Sequence, residues 1–282
     1  MSGCTEDLKK IIQSYITEEE YSSLLRLKNK QNEKGIVGFD LRFAKIRRAL
    51  KRSTQALIVN EKETCENKLI IENWDILRLT RVWFISLLSS YQKEEYCQAL
   101  DELFEFADVK ELVALYSSLS LIPFPEYALK RCEEGIRGNI GAVHEAIMEN
   151  NRFPVNHLDQ TVWNQMVLKA FFTDKNVLNI QGLFDAMNAS LARAAKDYIL
   201  ERNAANRSIH PVLWVLAQNE LNNERILSVF QRELKNSDDE FKKYCLSYTL
   251  HHNAFLKENI KQDYPNITGI QPTLNEIKNF YR

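Results

Sequence analysis

At 282 residues the chain is long enough for one large domain or two small ones, and for a substantial core. An apolar fraction of 45% with 27% charged residues excludes disorder on compositional grounds. A formal net charge of −1 carries none of the global basic signature expected of a nucleic-acid or anionic-membrane binder. No stretch approaches the ~18–20 apolar residues of a membrane span, so no transmembrane segment is predicted. The longest, Val82 to Leu88, reads as buried helix. Met1 to Lys10 is polar and acidic without an apolar h-region, so a signal peptide is not expected. Cys4, Cys65, Cys97, Cys132 and Cys245 lie far apart with no CxxC. That spacing predicts reduced core thiols rather than a disulfide framework or a zinc site, with the cytoplasm as the default compartment.

Taken in chain order, the apolar spacing is helical almost everywhere. Leu8, Ile11, Ile12 and Tyr15 predict a first helix buried on one side. Gly35 and Gly38 separate this N-terminal region from a basic helix carrying Lys45, Arg47, Arg48, Lys51 and Arg52, interleaved with Ile46 and Leu50. The plain reading of that helix is the wet face of an amphipathic element; the functional one is an anion or partner site. Ala56 to Val59 is the best strand candidate and is too short and isolated for a sheet, and Asn60 to Lys68 reads as a surface loop. An aromatic block around Trp74 and Trp83 follows. Leu100, Leu103 and Phe104, then Leu112, Leu115, Tyr116 and Leu119, repeat the helical pattern until Pro123 and Pro125 end it.

Ile140, Val143 and Ile147 continue the pattern to Pro154, and Leu191, Ala194, Ala195 and Tyr198 resume it. Asn206 to Pro211 is a break, with Pro211 suited to the first turn of a helix containing Trp214. Ser237-Asp238-Asp239-Glu240 reads as a helix start with Ser237 as cap, and Tyr264-Pro265-Asn266 introduces a short last helix from about Thr273. The expected fold class is therefore all-α, an irregular α-α array: a helical bundle or a short solenoid of antiparallel helices, without a fixed-period repeat.

No catalytic, metal or cofactor motif emerges. His144-Glu145-Ala146-Ile147-Met148 begins like HExxH but ends in Met, so one helical turn offers a single imidazole. His251 and His252 are adjacent and point about 100° apart on a helix. Gly135, Gly138 and Gly141 follow no strand, so a helix-to-helix turn with close packing at Gly141 is expected rather than a phosphate cradle.

The most unusual segment runs from Phe153 to Phe172. A helix is expected to start after Asp159, whose carboxylate can cap it, with Trp163, Val167 and Ala170 on one face. Asn164 and Lys169 beside such apolar neighbours are either buried polar groups lining a pocket or, more plainly, a bonded amide and a snorkelling amine. Arg81, within Thr80-Arg81-Val82-Trp83, is a second candidate, as an internal ion pair or as an anchor for an acidic ligand. Arg81, Asp159, Trp163, Asn164 and Lys169 form the candidate ligand or partner site.

Three segments carry a resemblance: Thr80 to Trp83; Leu115 to Glu126, with Ser117-Ser118-Leu119-Ser120-Leu121-Ile122-Pro123 inside it; and Asp159 to Phe172, with its Trp163-Asn164-Gln165-Met166-Val167-Leu168-Lys169-Ala170 string. In that order and spacing they resemble the EboA-domain family over roughly residues 75–215, with Arg207 to Trp214 fitting more loosely. Two departures stand out: Arg152 where a proline is usual, and Gln160 where an acid follows Asp159, a loss that weakens paired-acid catalysis. The resemblance implies a helical protein of bacterial gene clusters that also encode a UbiA-like prenyltransferase and TIM-barrel proteins, concerned with moving secondary-metabolite precursors. It implies no catalytic residues. On it rests the expected division into a helical extension, residues 1–70, and an EboA-like helical domain, residues 71–282. The expected function is a non-enzymatic accessory protein that binds a partner from the same cluster or a hydrophobic small molecule. The alternative is an enzyme with an inter-helical pocket using Asp159 or His157 as acid/base. A nucleic-acid reading through the Lys45–Arg52 helix conflicts with the net charge.

Overall fold

The computed structural model describes residues 2–66, 68–260 and 264–281. Among these the chain is all-α apart from one two-stranded antiparallel sheet, and it divides into two compact units. Unit 1 comprises residues 1–166 with 179–181, and unit 2 residues 167–178 with 182–282.

Unit 1 opens with α1 (Ser2–Tyr15), which buries Leu8 and Ile12. Next comes α2 (Glu18–Lys34), started by a reciprocal capping box between Thr17 and Glu20. Gly35 and Gly38 hold φ of 62° and 68°, the left-handed region that glycine enters without a Cβ clash, and so turn the chain into α3 (Phe39–Ala49). The buried Arg42 fastens that turn, donating to the carbonyls of Val37 at 2.7 Å and Gly35 at 2.8 Å. A single turn, α4 (Arg52–Gln55), leads into β1 (Ile58–Thr64) and β2 (Leu69–Asp75).

This hairpin corrects the sequence reading of an isolated strand candidate and a loop over Asn60–Lys68. Val59, Ile71 and Trp74 are buried, but register shifts between Val59 and Glu61 and again between Glu61 and Thr64 break the strict alternation that reveals a strand. The turn is equally silent in sequence, because Cys65 and Glu66 hold the positive φ that Asn-Gly usually advertises. A second correction concerns the thiols. Cys4 on α1 and Cys65 in the hairpin turn form a disulfide, so the set of five reduced cysteines from which the cytoplasm was inferred falls to three. Of those three, Cys132 and Cys245 are buried, and burial pushes the Cys132 thiol up to about 12, which makes it inert.

The core of unit 1 is α5 (Ile76–Ser86), in which only Arg78 is not buried. A helix this apolar on all sides needs neighbours all round, and α1, α3, α4, β2 and α7 (Val109–Ser117) supply them. Between α5 and α7 in the chain lies α6 (Lys93–Phe106). Pro125 occupies the first turn of α8 (Pro125–Arg137), where its missing N–H has no ladder role. Then come α9 (Gly141–Met148) and α10 (Phe153–His157). The close-packed glycine is Gly135 rather than Gly141: a Cβ there would lie 2.4 Å from Ile147 and 2.6 Å from the Tyr116 ring, whereas Gly141 is exposed.

The boundary between the units falls inside α11 (Gln160–Phe172). Unit 2 is built on α12 (Ala189–Ala204) and α13 (Val212–Ala217), the second buried at every residue. The strongly amphipathic α14 (Glu224–Lys235) puts Phe230 edge-on to Trp214 at 5.1 Å. Asp239, two residues beyond the expected Ser237, caps α15 (Glu240–His252), accepting from the Lys242 N–H at 2.7 Å. Ser237 instead donates its hydroxyl to the Leu234 carbonyl. Short helices α16 (Ala254–Asn259), α17 (Pro265–Thr268) and α18 (Leu274–Lys278) follow, the last capped by Thr273.

Candidate functional site

Unit 1 carries a cleft of about 510 Å³ between α3, the turn through α4 and the start of α7. Three exposed arginines line it: Arg47 and Arg48 on the outer face of α3 and Arg52 at the head of α4. They face outward because α3 buries Phe39, Phe43 and Ile46 on its other side, so the helical period places 47 and 48 in water. Gln55 braces this wall, donating through Nε2 to the carbonyls of Arg47 at 2.7 Å and Leu50 at 2.8 Å. Glu20 braces it from behind by accepting the Lys51 N–H at 2.8 Å. Burial alone would raise the Glu20 carboxyl, but that bond, the Thr17 N–H and the hydroxyls of Thr17 and Thr54 hold it at about 2.

The same cleft is lined by Arg81, Asp108 and Glu111. Arg81 is 1% exposed, and its Nη2 lies 2.9 Å from Glu111 Oε1. Burial lowers its pKa, Glu111 and Asp108 oppose that, and the charge of nearby Arg47 adds to the lowering. Its Nε has no hydrogen-bond partner among the described residues. The two carboxylates are already committed. Asp108 and Glu111 form the capping box of α7, each accepting the other's backbone N–H, and Glu111 also holds Arg81. Arg47, Arg48 and Arg52 make no ion pair among the described residues.

Of the five residues singled out in the sequence, only Arg81 lines this cleft. Asp159 is exposed and caps α11, its Oδ1 accepting from the N–H groups of Thr161 at 2.7 Å and Val162 at 2.9 Å. Trp163 is 4% exposed and sits in the core, its indole N–H without a hydrogen-bond partner among the described residues. Asn164 is buried and Lys169, on the unit 2 side of the boundary, half-buried; neither lacks a partner. His157 is exposed and stacks on Phe153 at 4.4 Å, while His144 is buried with Nε2 2.9 Å from the Gly138 carbonyl. The arginine cleft was legible only as a basic helix, since the sequence does not show that α7 delivers Arg81's partner beside it.

Two clefts lie among the described residues of unit 2. One, of about 280 Å³, is lined by Asp174, Lys175, Tyr198, Arg202 and His210 among others. Arg202 is tied down there, its Nη1 3.0 Å from the Tyr198 hydroxyl and its Nε donating to the Ser208 carbonyl. His210 Nδ1 accepts the Val212 N–H at 3.3 Å and its ring meets Phe171 edge-on. The other, of about 570 Å³, includes Tyr248, His251, His252 and Thr273. Each of its histidines has Nδ1 against the carbonyl one turn back, of Ser247 and Tyr248 respectively. No helix among the described residues is long and apolar enough to cross a membrane.

No curated protein and no solved structure matches the chain. One family model does, over residues 4–218, and so it takes in the arginine cleft and the first cleft of unit 2 but not the second. That match extends to the N-terminal helices which the motif resemblance left out. With more than half of its length matched, the chain belongs to the family described as metabolite traffic protein EboA.

Proposed function

We propose that the protein is a non-enzymatic accessory component of a bacterial metabolite-traffic system, holding a partner protein of that system or a small-molecule cargo at the arginine cleft of unit 1. Membership of the EboA family supports the traffic role. The observation that carries the choice of site is the buried Arg81–Glu111 pair set among three exposed arginines. A binding reading is favoured over acid/base chemistry at Asp159 and His157 because both groups have structural work: one caps α11 and the other stacks on Phe153. On this reading Asp159, Trp163, Asn164 and Lys169 support the helix that carries them, and the protein acts in the compartment where the precursor is made, the cytoplasm.

Deleting the chain from its host and following the metabolite on both sides of the membrane tests the proposal. The expected result is that the precursor is made at the normal rate and accumulates where it is made. If synthesis itself stops and an earlier intermediate builds up, the accessory reading fails. One observation favours an enzyme as second reading: Asp174 and His210 line the same cleft in unit 2. His210→Ala in the same host separates the two, since a purely accessory protein keeps its function with this histidine removed.

A further inference from the structure

We propose that the arginine cleft binds a phosphate or diphosphate group, gripped by Arg47, Arg48 and Arg52 above the Arg81–Glu111 pair. The inference rests on the accessory reading for its location and deepens it by naming the chemistry of the ligand.

The charge inventory of the cleft leads there. Four arginines and two acidic residues line it. Both carboxylates are engaged by the α7 capping box and by Arg81, which leaves three exposed guanidiniums without an ion pair among the described residues. Of the two lysines on this stretch, Lys51 faces Glu19 at 3.3 Å, and neither it nor Lys45 lines the cleft. Cations collected around a concave surface repel each other, and Arg47 and Arg81 are close enough for that repulsion to register on Arg81. An anion in the cleft relieves it. The wall carrying the cations is built rather than incidental, because Gln55 and Glu20 fix the backbone between residues 47 and 55 from two directions.

Residue type narrows the ligand class. All four cations are arginine, whose planar fork presents paired N–H groups that match phosphate oxygens, where lysine offers a single charged point. Two or three forks converging on one volume suit a group with several equivalent oxygens and a charge near −2 or beyond, more than a single carboxylate. The volume, about 510 Å³, leaves room for the organic part of a phosphorylated molecule. Ala44 and Leu50 are the apolar side chains available to it. The same chemistry would come from a soluble phosphorylated metabolite or from a phosphate-bearing lipid headgroup.

The test uses the purified full chain with inorganic pyrophosphate, followed by calorimetry and by the melting temperature. Pyrophosphate is expected to bind and to raise the melting temperature, and binding should weaken as salt increases. Arg47→Ala with Arg52→Ala is expected to cost at least about tenfold in affinity while leaving the ligand-free melting temperature close to the parent value, because both side chains are exposed. Arg225→Ala, an exposed arginine of unit 2, should stay within about twofold. A second arm floats the protein with phosphatidylcholine vesicles with and without phosphatidic acid. Flotation that needs both phosphatidic acid and the arginine pair assigns the lipid source; pyrophosphate binding without flotation assigns the soluble one. The proposal is overturned if pyrophosphate does not bind, if the double variant binds it as well as the parent, or if poly-glutamate binds at this cleft and pyrophosphate does not. Because binding is read on the isolated chain and traffic in the host, failure here leaves the accessory role standing. Failure of that role leaves the anion site standing.

Discussion

The cleft beside α3 and the helix α11 invert what their sequences advertise. The stretch around Trp163 is the odd one on paper, with polar and apolar residues mixed through each turn. In the fold most of that mixture has a local explanation: Asp159 caps, while Trp163, Val167 and Ala170 fill core. The Lys45–Arg52 stretch looks like an ordinary wet helix face, yet its three arginines line a concavity together with a buried ion pair. Residue oddity within one element thus measures packing demand. Convergence of like charges from separate elements is the better pointer to a ligand, and it exists only in three dimensions.

The comparison can be broken most forcefully at Arg81. Arg81→Met should destabilise the protein by about 3–5 kcal/mol in urea unfolding, because it strands the mostly buried Glu111 carboxylate without its partner. A loss under about 1 kcal/mol would show that the floor of the cleft is solvated. Trp163→Ala should cost about 3–4 kcal/mol, as a buried indole is replaced by a cavity. Pyrophosphate affinity should be unchanged in that variant, since Trp163 does not line the arginine cleft. A selective loss of binding with stability kept would hand the site back to α11.

Acid sharpens the same contrast through Glu20. Its folded-state pKa is depressed from 4.5 to about 2, so its contribution is fully present above the ordinary carboxyl pKa and is lost as pH falls from 4.5 towards 2. The contribution is about 2–3 kcal/mol. Glu20→Gln should flatten that part of the stability–pH curve and loosen the Lys51 segment of the cleft wall, which amide hydrogen exchange at Lys51 would report. An unaltered curve would mean that Glu20 is not the anchor. The smallest effect belongs to Asp159→Ala, about 1 kcal/mol from a lost N-cap. Anion binding should again be untouched, and a larger loss would give Asp159 a role beyond the cap.

Much of the architecture was legible because it is local. Helical spacing, the proline at 211, the Gly35 and Gly38 turn, and the caps at Asp159 and Thr273 all act over a few residues, and each holds its expected place or lies within a residue or so of it, whereas Pro125, expected to end a helix, starts α8. The hairpin escaped because two register shifts spoil its alternation and because Cys65 and Glu66 carry a positive φ without a turn signature. In the candidate site, Arg81 was picked out from its apolar flanks, but its grouping with Arg47, Arg48 and Arg52 was not.

By itself the sequence determined an all-α chain, its main breaks, most of its buried faces and, through three short motifs, its family. Those properties follow from backbone geometry, side-chain period and capping, which neighbouring residues settle among themselves. Only the tertiary structure decided that Cys4 meets Cys65 across 61 residues, that Glu111 is the partner of Arg81, and that three surface arginines share one cleft with that pair. Such pairings depend on which buried faces close on one another, and no spacing along the chain encodes the distance between residues brought together by a common core.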